Sequence, residues 1–228
     1  KLNELGSRLI QKNSLHLGVS IRSFRSEKLS IAIATILEGS MQEAKASILE
    51  ISQSYPVRIT RSLKQARNWL RKNSRGSERY GLLASSGAKR LKPLGLTPGL
   101  ITEKTAPNWF LNNDDDVRSS YSLEDPATEF QVQGLELDWA GVVWDGDFVR
   151  DENRWKYQNF RGSKWMRVRD QARQAYMLNA YRVLLTRARQ GMVIVVPIGS
   201  EIDKTRPAAN YDPTWKYLLD VGFQPIET

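Results

Sequence analysis

Tyr181-Arg182-Val183-Leu184-Leu185-Thr186-Arg187-Ala188-Arg189-Gln190-Gly191 runs directly into Met192-Val193-Ile194-Val195-Val196. The first stretch continues a helical pattern that opens near residue 172. Tyr176, Met177, Ala180, Tyr181, Leu184 and Leu185 recur at helical spacing and build one broad apolar face. The second stretch is apolar at every position, so it has no side to turn to water. That is the pattern of a strand buried on both faces, as in the middle of a parallel sheet. A helix over 172–189 feeding such a strand at 192–196 predicts an α/β layer fold.

The same alternation recurs upstream. The spacing predicts strands at 15–20, 57–59, 80–84, 129–132 and 141–144, and helices at 26–37, 41–53, 62–71 and, near the end, 217–221. Residues 92–124 read as a loop-like insertion or lid, rich in Pro and Gly and carrying the acidic run Asp114-Asp115-Asp116. A hairpin is expected near 146–160, around Asp151-Glu152-Asn153. The expected fold is therefore a mostly parallel sheet flanked by helices, in one domain spanning 1–228 with its core at about 15–198.

The 228 residues hold 34 Lys and Arg against 25 Asp and Glu, and the excess is unevenly placed. Residues 1–100 carry 18 basic and 6 acidic side chains, and between Arg58 and Lys92 only Glu78 opposes 11 cations. A second basic block runs from Arg150 to Arg189 and contains Trp155 and Trp165. Such clusters attract polyanions, and flat indole rings among cations suit stacking on unpaired bases. The outer face of the 62–71 helix carries Arg67 and Arg71, which makes them candidates for a nucleic-acid track. A solvated basic surface over core tryptophans is the plain alternative.

Several classes are excluded. Cysteine is absent and His16 is the only histidine, so disulfide frameworks, zinc ribbons, thiol nucleophiles and multi-imidazole metal sites have no residues to build them. No apolar run approaches the roughly 18 residues of a spanning helix, and no signal peptide opens the chain, so a cytoplasmic protein without a membrane partner is expected. The first residue is Lys1, which suggests a piece of a longer protein. No Gly-x-x-x-x-Gly-Lys-Ser/Thr segment occurs, so the chain holds no P-loop.

Thr128-Glu129-Phe130-Gln131-Val132-Gln133-Gly134-Leu135-Glu136-Leu137-Asp138 and the Tyr181–Gly191 stretch, in this order, resemble the last two conserved motifs of superfamily 1 helicases such as UvrD and Rep. The wider run from Glu129 to Trp144 is more similar still to an uncharacterised bacterial branch of that superfamily, related to the helicase part of Schlafen proteins. Ser20-Ile21-Arg22-Ser23 resembles the Tyr-Arg-Ser segment that opens the second motor domain of the same group. Phe130 departs from the family pattern, where a polar residue is frequent.

The resemblance implies a RecA-like, P-loop NTPase-type fold: the second motor domain of a DNA or RNA helicase or translocase. An N-terminal RecA-like domain of the same protein would carry the P-loop and most of the ATP and Mg²⁺ contacts, so this chain alone would be inactive. Arg187 would be the arginine finger and Arg22 a second γ-phosphate contact. Gly134, beside Gln133, would let the backbone approach the nucleotide, and Glu136 would accept from the ribose hydroxyl. Thr128 would touch the backbone of single-stranded DNA or RNA.

Two other classes compete. Glu136, Asp138, Asp145 and Asp147 lie close in sequence, and carboxylates at strand ends can hold Mg²⁺ for phosphodiester cleavage, with Lys156 or Lys164 assisting. A passive nucleic-acid-binding module is the other. In either, Arg187 and Arg189 would be ordinary cations near a helix C-terminus.

Overall fold

The computed structural model describes residues 24–152 and 154–226. The strand expected at 15–20, His16 and Arg22 lie outside the described residues. The chain starts with a pair of packed helices, α1 (Phe24–Glu38) and α2 (Met41–Ser52). Ser40 separates them through a capping box: its hydroxyl accepts from the Glu43 N–H, and its own N–H donates to the Glu43 carboxylate. There follow β1 (Val57–Thr60), α3 (Leu63–Asn73), β2 (Tyr80–Ala84), the short α4 (Ala106–Leu111) and β3 (Leu137–Val143). Then come β4 (Phe148–Asp151), β5 (Arg154–Arg161), β6 (Lys164–Arg167), α5 (Gln171–Leu185), β7 (Ala188–Val195), α6 (Asp212–Val221) and β8 (Gln224–Pro225).

Five strands form one parallel sheet in the order β2-β3-β7-β1-β8. It is covered on both faces. Along β7, Met192 and Ile194 point into the core shared with α1, α2, α5 and α6, while Val193 and Val195 point to the core under α3. A strand with period-two side chains and apolar neighbours on both sides must be apolar throughout, which is why 192–196 reads as it does. The architecture is the expected α/β one, a mostly parallel sheet flanked by helices as in RecA-like domains. No described helix is long and apolar enough to cross a membrane.

The structure corrects several expectations. Residues 129–132 are not a strand but a helical turn: Gln131 N–H and Val132 N–H both donate to the Thr128 carbonyl. The Gln131 side chain takes the Thr128 N–H and hydroxyl, which closes the turn. Only Ala127 bridges to the sheet, at Leu83, and β3 begins later, at Leu137. Helix α5 stops at Leu185, because Arg187 and Ala188 are drawn into the sheet: Leu137 N–H donates to the Arg187 carbonyl and Leu137 pairs with Ala188. The expected hairpin is a three-stranded antiparallel sheet, β4-β5-β6. Trp155 is not a stacking surface for bases. It is 8% exposed and lies parallel to Phe148 at 4.3 Å within a cluster that includes Trp144 and Tyr181. Trp165 donates its indole N–H to the Thr205 carbonyl.

The 92–124 segment is anchored, not a free lid. Trp109 is buried and donates to the Asp125 carbonyl. Arg79 reaches in from the start of β2, donating to the Trp109 and Asn112 carbonyls and to the Ser119 and Ser120 hydroxyls, with Tyr121 against its guanidinium at 4.5 Å. Removing this fork strands several acceptors, each costing about 1–3 kcal/mol where water cannot replace it. Arg79→Met is therefore expected to lower stability by about 2–3 kcal/mol in urea and to expose residues 100–124 to protease. An unchanged urea midpoint would show that the segment holds without Arg79.

Candidate functional site

All five strands run the same way, so the sheet has one amino edge and one carboxyl edge. The two quoted motifs meet at the amino edge. The backbone bond from Leu137 to Arg187, 2.9 Å, ties the end of the first motif to the middle of the second. Gly134 turns the chain here with φ +85°, a conformation that costs other residues strain, and a Cβ on it would meet nothing within 4 Å. Gln133, Gly134, Leu135 and Glu136 form a continuous exposed ledge beside the sheet.

Arg187 sits next to that ledge in sequence space but is only 7% exposed, and its Nε donates to the Val183 carbonyl one turn back along α5. The guanidinium is thus largely covered, not projected into solvent. Arg189, the other cation of the motif, is held by Asp138 at 2.7 Å. Asp138 also accepts from the Arg79 N–H and from Gln190. Gln190 and the Trp139 indole donate to Glu78, and these bonds hold the Glu78 carboxyl below the usual carboxylate range. The amino edge therefore carries a connected polar network under the exposed ledge.

The expected nucleic-acid contacts are not brought together. Thr128 is buried, and its hydroxyl closes the 128–132 turn. Arg67 donates to the Leu123 carbonyl and pairs with Glu124 at 3.5 Å. Arg71 is exposed and lies beside the Tyr80 phenol. Nor do the four carboxylates of the nuclease alternative converge. Asp138 is at the amino end of β3, while Asp145 and Asp147 follow its carboxyl end, about 20 Å away at some 3.3 Å per residue. Among the described residues, no group of three or more His, Cys, Asp or Glu side chains is placed to hold a metal ion. The chain itself thus offers Mg²⁺ no ligand set, and no step is assigned to that ion.

The carboxyl edge holds a site that the sequence shows only as a small-residue turn. Ser85-Ser86-Gly87 follows β2 and faces Asp145 and Asp147, which follow β3. Asp145 accepts from the Arg90 N–H at 2.7 Å and the Tyr211 hydroxyl at 2.9 Å. Asp147 accepts from the Tyr181 hydroxyl at 2.6 Å. Complete burial, reinforced by the adjacent Asp145, pushes the Asp147 carboxyl up to about 7. Glu129 clamps the turn, accepting from the Ser86 N–H and hydroxyl and from the Tyr176 hydroxyl. Burial and this carboxylate push the Tyr176 phenol up to about 12. The one early signal was position: ligands of parallel α/β sheets gather outside the carboxyl ends of the strands.

A family model described as Schlafen group 3, DNA/RNA helicase domain, matches residues 4–197. No curated protein and no solved structure matches the chain. The match spans the whole parallel sheet except β8, together with both motifs at its amino edge. The chain belongs to the Schlafen group 3 DNA/RNA helicase domain family.

Proposed function

We propose that this helicase-like domain is the second motor lobe of a superfamily 1 type, nucleic-acid-dependent ATPase. It would work with a P-loop domain of the same protein on single-stranded DNA or RNA. The observation that carries this is the meeting of the two motifs at one sheet edge, sealed by the Leu137–Arg187 backbone bond and fronted by the exposed 133–136 ledge. In this reading the companion lobe binds ATP against the ledge. Gly134, with Gln133, lets the backbone close on the nucleotide, and Glu136 accepts from the ribose.

Phosphoryl transfer asks a protein mainly for positioning and for cations near the oxygens that gain charge. Arg187 is assigned that cation, with Arg22 as a second. Docking of the companion lobe has to draw the Arg187 guanidinium away from Val183. Thr128, Arg67 and Arg71 are assigned to the strand, Thr128 through the turn it closes, since its own hydroxyl faces inward. ATP and Mg²⁺ belong mainly to the companion lobe.

The burial of Arg187 favours a second reading, a passive nucleic-acid-binding module. One measurement separates the two: ATP turnover by the protein with its companion lobe, with and without Arg187→Ala. Turnover that disappears while nucleotide still binds supports the motor. Salt-sensitive strand binding with no ATP dependence supports the passive module.

A further inference from the structure

Between the Ser85–Gly87 turn, β5 and α5 lies a cavity of about 150 Å³. A cavity of about that volume in another protein accommodates benzene, so a single six-membered ring fits. Its wall is mixed. Val168, Met177 and Ala180 give it apolar surface, and Asp147 gives it a carboxylate edge. Asp147 is 1% exposed, and Oδ1 is taken by Tyr181. Among the described residues nothing donates to Oδ2. The Ser85 hydroxyl is nearby but outside hydrogen-bond geometry, and it accepts from the Gly87 N–H instead. Gly87 keeps the space before Oδ2 open, since a Cβ there would lie 2.8 Å from it.

The mouth of the cavity has its own chemistry. Phe130 (58% exposed) and Tyr176 (47% exposed) stand with ring centres 6.2 Å apart, at the position where a polar residue would have matched the motif. Exposed rings of this kind stack on bases regardless of sequence. Ser86 also borders a neighbouring groove lined by Lys89, Arg90 and Lys92. Arg90 is paired with Asp203, which leaves the two lysines to face a polyanion. An aromatic step beside a ring-sized cavity and a basic groove suits a strand with its phosphates in the groove and a base turned inward.

We propose that this cavity receives one nucleobase of a single-stranded nucleic acid, a pyrimidine bearing an exocyclic amino group, whose N–H donates to Asp147 Oδ2. The unsatisfied acceptor sets the preference. Cytosine presents an amino donor, whereas thymine and uracil present a carbonyl oxygen at the same position and would set two acceptors face to face. The proposal rests on the strand-binding reading above and deepens it with a base preference.

The test is binding of labelled oligo-dC and oligo-dT to the intact protein at pH 8, for wild type and Asp147→Asn. Asparagine keeps the shape and the Oδ1 acceptor for Tyr181, and it presents an N–H₂ donor in place of Oδ2. Wild type is expected to prefer oligo-dC by about tenfold, the scale of one hydrogen bond to a charged group. Asp147→Asn is expected to bring the two within about twofold, with an unchanged salt dependence, because the phosphate contacts are untouched. Equal affinities in wild type, or a preference that survives Asp147→Asn, would overturn the base pocket and leave the strand-binding reading standing. Failure of both oligonucleotides to bind would overturn both. Cytidine monophosphate that competes as well as the same base within oligo-dC would assign the cavity to a free nucleotide and overturn the proposal.

Discussion

Arg187→Ala, in the protein with its companion lobe, is expected to reduce nucleic-acid-stimulated ATP turnover by about 10³-fold or more while ATP affinity changes only severalfold. The magnitude follows from the role. A cation that meets the γ-phosphate only as charge builds stabilises the transition state and not the bound substrate, so its loss falls on the rate. Arg187→Lys is expected to recover little, because a compact ammonium lacks the planar fork of the guanidinium. The variant should fold. Arg187 gives up one side-chain bond, to the Val183 carbonyl near the end of α5, while its own carbonyl still accepts from Leu137. Circular dichroism and urea midpoints check that point. Turnover within a few-fold of wild type would remove the arginine-finger assignment, and the buried position of Arg187 would then be simply structural.

The second large effect is a dependence of stability on pH set by Asp147. In the unfolded chain this carboxyl titrates near 3.8, whereas burial and the neighbouring Asp145 raise it to about 7 in the fold. Between those values the folded state holds a proton that the unfolded state has released. Stability must then fall as pH rises through the window, level off above 7, and recover as pH drops toward 4. At 1.36 kcal/mol per unit this group alone contributes up to about 4 kcal/mol of lost stability at pH 8. The groups facing it are Asp145 after β3, Tyr181 and Arg173 on α5, Glu129 in the 128–132 turn and Gln158 on β5. Asp147→Asn cannot ionise. It is expected to equal or slightly trail wild type near pH 4 and to exceed it clearly at pH 8 in urea denaturation. A stability difference that does not change between pH 5 and pH 8 would show that Asp147 titrates alike in both states. The same variant therefore stays folded under the conditions of the oligonucleotide comparison.

Much of the architecture is legible in the chain because it follows from local periodicity. Helices α1, α2 and α3 and strands β1 and β2 appear within a few residues of where spacing and capping residues put them. The misreadings share a cause. At 129–132 a run of alternating residues resembles a strand, but Gln131 lies three residues after Thr128 and bonds back to it, closing a turn instead. At 186–189 helical spacing continues past the helix end, because the pull of β3 on Arg187 and Ala188 is a long-range bond that no local pattern contains. At 92–124 the Pro and Gly content is genuine, yet one distant arginine, Arg79, ties the segment down.

The candidate sites divide the same way. Both motifs at the amino edge are contiguous words, so each is readable alone, and their order along the chain is enough to suggest the family. Whether four nearby carboxylates form one cluster is a different kind of question. A strand of seven residues carries Asp138 to one edge of the sheet and leaves Asp145 and Asp147 at the other, so closeness in sequence becomes separation in space.

The amino-acid order alone determined the layered α/β fold, the absence of a P-loop and the helicase-like motifs, because each of these is written in neighbouring residues. Tertiary packing alone decided that Arg187 is covered, that Arg189 is spoken for by Asp138, and that an unsatisfied oxygen of Asp147 faces a ring-sized space. Burial and partnership depend on which distant segments arrive at the same place, and that is settled only when the sheet brings its edges together.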